Sequence, residues 1–251
     1  MKFIGVIPAR YASTRFPGKP LALLDGKPII QHVCENAGKA LDQVWVATDD
    51  ERIAQCVAGF NGQVVMTRAD HQSGTDRCAE AAQALAAAHD FDVVINVQGD
   101  EPFVRLEQIE ALKACFDDSS TDIATLVKVI EDSTVLFNPN RPKVVVDCKQ
   151  NALFFSREAI PHIRGVQKED WLAHHQFYSH LGMYAYRKEV LQQLTQLEPS
   201  RLELAESLEQ LRWLENGLRI KVGQTQFESI GIDTPEDLEA ARQFLENQRK
   251  C

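Results

Sequence analysis

Arg10, Arg15 and Lys19 stand in one short stretch, Ile7-Pro8-Ala9-Arg10-Tyr11-Ala12-Ser13-Thr14-Arg15-Phe16-Pro17-Gly18-Lys19-Pro20. Arginine offers a planar fork that matches phosphate oxygens, and lysine offers a point charge. Proline stiffens such a loop, and Gly18 lets the backbone pass close to a ligand. Two readings fit these residues: a cradle for a triphosphate, or a solvated basic loop. The stretch is neither a GxxxxGK[ST] phosphate loop nor a GxGxxG fingerprint.

Two carboxylates are candidate metal ligands. Asp100 follows Gly99 and the apolar run Asp92–Val97, and Asp233 lies in Gly231-Ile232-Asp233-Thr234-Pro235-Glu236-Asp237. Mg²⁺ is suited by one or two carboxylates together with substrate phosphates. The alternative for each is a turn or capping residue, which for Asp233 fits the Pro and acids that follow it. Ser73-Gly74-Thr75-Asp76-Arg77 opens a helix and presents either backbone N–H groups to a ligand or a plain cap. His71 reads as a solvated loop residue. His180, Tyr184 and Tyr186 alternate along one face of an expected strand. Glu209-Gln210-Leu211-Arg212 reads as a charged helix face. No Ser/His/Asp or Cys/His arrangement points to covalent catalysis.

The elements that must position these residues follow from apolar periodicity. Phe3–Ile7 reads as a buried first strand, with the cationic loop at its carboxyl end. Strands at Gln43–Ala47, Gln63–Met66 and Asp92–Val97 alternate with helices at Pro28–Ala40, Glu51–Gly59, Asp76–Ala88 and Leu106–Cys115. That alternation predicts an α/β fold with a doubly wound, Rossmann-like, mostly parallel sheet, in which strand ends along one edge carry the ligand site. After Asp118 the pattern changes. Ile123–Ile130, Lys143–Asp147, Ala152–Ser156 and His180–Arg187 read as strands of an antiparallel insert, roughly 119–187, inside one domain spanning 1–251. Ile163–Tyr178 reads as a mobile lid or a helix. Glu189–Leu197, Leu202–Gly217 and Pro235–Gln248 read as helices, with a short strand at Ile220–Val222.

Composition narrows the functional classes. The chain of 251 residues carries 27 Lys and Arg against 36 Asp and Glu, a net charge of −9, which argues against non-specific nucleic-acid binding. It does not argue against a phosphate ligand, because the cations of the first loop are concentrated locally. No segment approaches the length of a membrane span. The first apolar run stops at Pro8, short of an export signal, and the six scattered cysteines form no CxxC pair. Free thiols in a cytoplasmic protein are expected.

The motifs IPARYASTRFPGKPL, VATDDERI, MTRADHQSGTDR, INVQGDEP, FNPN, FFSREAIP, HLGMYAYR, LELAESLEQLRWLENG and GIDTPEDLE together resemble the 3-deoxy-manno-octulosonate (Kdo) cytidylyltransferase family over almost the whole chain. The resemblance implies a sheet of the nucleotide-diphospho-sugar transferase type. It also implies transfer of CMP from CTP to the anomeric hydroxyl of Kdo, with release of pyrophosphate, for lipopolysaccharide synthesis. A related sugar acid, 8-amino-Kdo or a sialic acid, is the alternative acceptor. On this resemblance Arg10, Arg15 and Lys19 hold the triphosphate, and Asp100 and Asp233 hold Mg²⁺. Lys19, Arg10, Asp100 and Asp233 are then the catalytic set. Pro8, Ala9, Ser73, Gly74 and Arg77 line the cytidine pocket. Gln98, Arg157, His180, Tyr184, Glu209 and Gln210 face the sugar acid, and the insert joins two chains in a homodimer.

Overall fold

A computed structural model describes residues 1–228 and 230–250. The chain divides into two compact units, residues 1–109 with 229–251 and residues 110–228.

The first unit is built on four parallel strands. β1 (Phe3–Ala9) pairs with β4 (Val44–Thr48) on one side and β6 (Val93–Asn96) on the other, and β4 pairs with β5 (Gln63–Met66). Between β1 and β4 lie a small hairpin of β2 (Leu23–Leu24) and β3 (Lys27–Pro28) and then helix α1 (Ile29–Ala37). α2 (Glu51–Gly59) joins β4 to β5, and α3 (Gly74–Leu85) joins β5 to β6. β6 is buried at every position, as a strand covered on both faces must be. Ile4, Val6 and Ile7 of β1, with Ile30 and Val33 of α1, bury the adjoining core. The helix α4 (Leu106–Ala114) follows β6 in the chain, and α10 (Pro235–Lys250) belongs to the first unit.

The second unit contains the strands expected of the insert. β7 (Ile123–Val129) and β10 (Tyr178–Arg187) are antiparallel, with a bulge between Leu181 and Tyr184. β8 (Lys143–Val146) pairs antiparallel with β10 and with β9 (Ala152–Ser156). β11 (Ile220–Gln224) joins β7 in parallel. Short helices complete the unit: α5 (Ser133–Leu136), α6 (Trp171–His174), α7 (Lys188–Leu194), α8 (Arg201–Glu206) and α9 (Gln210–Glu215).

The segment 163–178, read as a lid or a helix, contains the short helix α6 and is packed down. Trp171 is buried with Ile130, Leu136 and Phe177, its ring stacks on Phe177, and its indole N–H donates to Val166 O at 3.2 Å. Leu202–Gly217 is two helices, because Ser207 turns left-handed (φ 51°) and ends α8, which Ser200 and Glu203 open with a capping box.

Gly99 fixes how the β6 turn meets β1. A Cβ on Gly99 would lie 2.7 Å from Pro8 O, a backbone atom that cannot yield without moving the strand. Gly99→Ala should therefore destabilise the protein by about 1–3 kcal/mol. Gly59→Ala, in α2 with nothing within 4 Å of the added methyl, should be neutral or stabilising. Urea unfolding of both variants checks this, and equal midpoints would contradict it.

Candidate active site

The cationic loop is a folded object. Gly18 takes a left-handed conformation (φ 72°), and its N–H and that of Ser13 both donate to Tyr11 O at 2.9 Å. The Tyr11 ring lies beneath the Arg52 guanidinium, 3.3 Å from its centroid, and close to the place a Cβ of Gly18 would occupy. The chain then enters a single 3₁₀ turn at Lys19–Leu21, with Pro20 buried. The turn carries Lys19 inward, while Arg10 and Arg15 remain exposed.

Lys19 meets both candidate carboxylates. Its ammonium donates to Asp100 Oδ2 at 2.6 Å and to Asp233 Oδ1 at 3.0 Å, with only 11% of the side chain exposed. An Arg15 nitrogen lies 3.1 Å from Asp233 Oδ2. The turn after β6 delivers Asp100, and Asp100 O accepts Ile232 N–H at 2.9 Å, which ties the two carboxylate segments together. The cap of α10 is Thr234. Its N–H donates to Asp237 Oδ2 at 2.9 Å, and its hydroxyl accepts Asp237 N–H at 3.2 Å. Asp233 is thereby released from capping and faces the cations. Burial would raise the Asp237 carboxyl, but the N–H groups of Asp233 and Thr234, the Thr234 hydroxyl and the Arg15 charge together hold it below its ordinary value.

These groups border one cavity of about 330 Å³. Its cationic side is Arg10, Arg15 and Lys19; its uncharged side is Pro8, Ala9, Gln72, Ser73 and Gly74; Gln98, Asp100 and Asp233 lie with them. Ser73 caps α3 through a capping box with Asp76, so the cap and the cavity wall are the same residues. Arg77 also borders the cavity, but its guanidinium faces away into the protein, to Thr67 Oγ1 at 2.6 Å and Asp49 Oδ1 at 3.0 Å. It shapes the wall more directly than it charges it.

The donor set suits a hard divalent ion. Two carboxylates from distant parts of the chain converge on one ammonium, which marks a position where positive charge is stabilised. Among the described residues no group of three or more His, Cys, Asp or Glu side chains could hold a metal. Two carboxylate donors fit an ion that takes its other ligands from phosphates and water.

Comparison with known proteins places the chain in a family. Residues 4–220 match the cytidylyltransferase family model. A 3-deoxy-manno-octulosonate cytidylyltransferase of Parabacteroides distasonis is 59% identical over 252 residues, covering 99% of this chain and 100% of the relative. The chain belongs to the 3-deoxy-manno-octulosonate cytidylyltransferase family. A solved structure of CMP:2-keto-3-deoxy-manno-octonic acid synthetase complexed with CTP superposes with a TM-score of 0.90 at 42% identity, covering 99% of this chain and 100% of that one. A 4-diphosphocytidyl-2C-methyl-D-erythritol synthase of Anaerococcus prevotii, 14% identical with a TM-score of 0.60, shares the fold.

Besides Gln98 in the cavity, the residues that membership of this family would direct to the sugar acid lie in the second unit. His180 is partly buried against Phe155 and Tyr184, with its Nε2 2.9 Å from Thr125 Oγ1. Burial pushes its imidazole down to about 3. Burial and the Glu209 carboxylate push the Tyr184 phenol well up, against a smaller opposing effect of Thr125. Gln210, 4% exposed, has a buried side-chain N–H₂ with no hydrogen-bond partner. The Arg157 side chain is tied to the backbone. Its guanidinium donates to three backbone carbonyls, Glu206 O at 2.6 Å, Pro139 O at 3.0 Å and Ser207 O at 3.2 Å.

His71 is the clearest correction. It is not solvated: its side chain is 7% exposed, borders the cavity and hydrogen-bonds to Glu80. Sequence reasoning also passed over Asp237, although Thr-x-x-Asp before a helix is a legible cap. Cys34, Cys56, Cys78, Cys115 and Cys148 are free, and Cys251 lies outside the described residues. Burial pushes the Cys34 thiol up to about 12 and that of Cys115 up to about 11, which makes both poor nucleophiles.

The partly buried His180 gives a pH dependence of known sign. Its folded pKa of about 3 lies below the ordinary 6.5, so between these values the unfolded chain binds a proton that the folded chain does not. Stability due to this group is therefore present above pH 6.5 and is lost as pH falls toward 3. In mid-window the loss should be about 1.4 kcal/mol per pH unit. Urea unfolding at stepped pH should show wild type steeper than His180→Gln by that slope; parallel curves would mean that the folded imidazole is protonated.

Proposed function

We propose that this chain transfers cytidylate from CTP to the anomeric hydroxyl of Kdo, releasing pyrophosphate and providing an activated sugar acid for lipopolysaccharide synthesis. The observation that carries the reading is the convergence of Arg10, Arg15, Lys19, Asp100 and Asp233 on one cavity in a member of this family. Phosphoryl-group transfer needs reactants in line and charge stabilised where it develops, with little covalent help from the protein. The cations that border the cavity are placed to serve the second of these needs.

The cationic side receives the triphosphate, and the uncharged side beside Ser73 and Gly74 receives the cytosine base. Arg10 and Arg15 clamp phosphate oxygens. The acceptor hydroxyl attacks the α-phosphorus, and the bond to the bridging oxygen of the departing pyrophosphate breaks. Lys19 is placed to stabilise the charge that grows on that pyrophosphate. Asp100 and Asp233 would hold Mg²⁺, which when bound neutralises phosphate oxygens and lowers the pKa of a hydroxyl attached to it. The acceptor needs many donors and acceptors for its hydroxyls. In the second unit Glu209 and the side-chain N–H₂ of Gln210 are suited to this, with Tyr184 and His180 as neutral neighbours. Arg157 contributes to acceptor binding by holding the segment around Ser207 that precedes Glu209. The family resemblance supports a homodimer joined through the insert, and the free thiols support a cytoplasmic setting.

Pyrophosphate release, measured with CTP, UTP, ATP and GTP against Kdo, 8-amino-Kdo and a sialic acid, tests the reading. CTP with Kdo should give the highest kcat/KM, and chelation of divalent metal should abolish turnover. Asp100→Asn should lower kcat by at least about a hundredfold with the fold retained; near-native turnover at saturating Mg²⁺ would remove the metal role. Lys19→Ala should also lower kcat by about a hundredfold, with KM for CTP changed by less than about threefold, since its charge matters most as pyrophosphate departs. A raised KM with unchanged kcat would reduce Lys19 to a binding cation.

A further inference from the structure

Part of the uncharged wall of the cavity, Gln72 and Ser73, has no secondary structure of its own. Between β5 and α3, residues 67–73 form neither strand nor helix. The first two turns of α3 hold this loop instead, at three points. Arg77 donates to Thr67 Oγ1 where the loop begins. Asp76 closes the capping box on Ser73 where it ends. Glu80 holds the middle: it accepts Arg68 N–H at 3.1 Å and 3.3 Å, and it hydrogen-bonds to His71 Nε2. Positions 76, 77 and 80 lie at i, i+1 and i+4, so the three anchors share one side of the helix.

The first and last anchors act at the ends of the loop. Between them the backbone is held by Glu80 and by the local bond from the Gln72 side chain to Asp70 O. The Arg68–Asp70 ion pair is exposed on both sides and contributes little. The Glu80 carboxyl is raised by burial, but the His71 hydrogen bond, the Arg68 N–H and the nearby positive charge lower it overall, so its ionised form is the one the loop is built around.

We propose that His71 and Glu80 are a positioning pair that sets the distance of the Gln72–Gly74 wall from the nucleobase and so sets base selectivity. The proposal rests on the assignment of that wall to cytosine made above. Cytosine and uracil differ at one exocyclic group, an amino donor against a carbonyl oxygen, and at the adjacent ring nitrogen. A site that separates them must place its hydrogen-bonding groups to within about 0.5 Å. A loop without regular structure meets that demand only if a side chain pins its centre. A wall that is displaced weakens binding of the correct base and loses the penalty imposed on the wrong one. The triphosphate end, carried by a different loop, is left in place.

The test is steady-state kinetics of Glu80→Gln, His71→Ala and the double variant with CTP and with UTP, alongside thermal melting. Each single variant should raise KM for CTP about tenfold, keep kcat within about twofold and lower the CTP:UTP ratio of kcat/KM by about tenfold. The double variant should be no worse than either single, because the two residues act as one unit. Should His71→Ala fail to fold, Glu80→Gln, isosteric and at a partly exposed position, carries the comparison alone. An unchanged CTP:UTP ratio in the variants, with or without a lower melting temperature, overturns the positioning role and leaves the base wall standing. A fall in kcat at constant KM also overturns it. A wild-type enzyme with no preference for CTP over UTP overturns the base-wall assignment itself.

Discussion

Two carboxylates that face one small cavity repel each other unless a cation stands between them. At an effective dielectric of about 20, like charges 4 Å apart oppose one another by about 4 kcal/mol. Lys19 removes that repulsion by donating to Asp100 and Asp233 at once. The surrounding structure serves this one contact. The left-handed Gly18 and the 3₁₀ turn aim the lysine, the β6 turn brings Asp100, and Thr234 with Asp237 takes over the capping that would otherwise occupy Asp233. The ammonium also marks where a divalent ion would be stabilised.

The second unit follows another electrostatic rule. Its buried and partly buried polar residues are held neutral: the imidazole of His180 far below its ordinary range, the phenol of Tyr184 far above it. Aromatic packing makes them so, because Tyr184 stands edge-on to Trp213 at 5.0 Å and His180 edge-on to Phe155 at 4.9 Å. Neutral donors and acceptors recognise hydroxyls by direction rather than by charge. The first unit thus gathers its charged side chains at one cavity, while the second sets neutral polar groups among aromatic rings.

The fold of the first unit was legible because its signals are local. Apolar runs followed by Asp, Ser or Thr marked strand ends and helix starts, and the observed boundaries differ from the reading by a few residues. The cationic loop and both carboxylates were legible as candidates, but their convergence was not, since Lys19 and Asp233 are 214 residues apart in sequence. His71 was misread for the same reason in miniature. Its partner lies on the next helix, and nothing in a loop of Arg, Ala, Asp, His and Gln announces that one side chain is buried. The bonds from the Arg157 guanidinium to three backbone carbonyls were likewise invisible, because their acceptors lie up to 50 residues away in sequence. The division of Leu202–Gly217 turned on one left-handed serine, which periodicity alone does not reveal.

The close approach of Gly99 to Pro8 O bears on how this sequence can change over time. Drift by small steps needs intermediates that still work, and here the smallest step, a single methyl, meets backbone. An alternative residue at 99 becomes accessible only after the end of β1 has shifted, and that same segment carries Arg10 to the cavity. The turn and the first loop are thus locked as one evolutionary unit, in which neither can explore new sequence without the other.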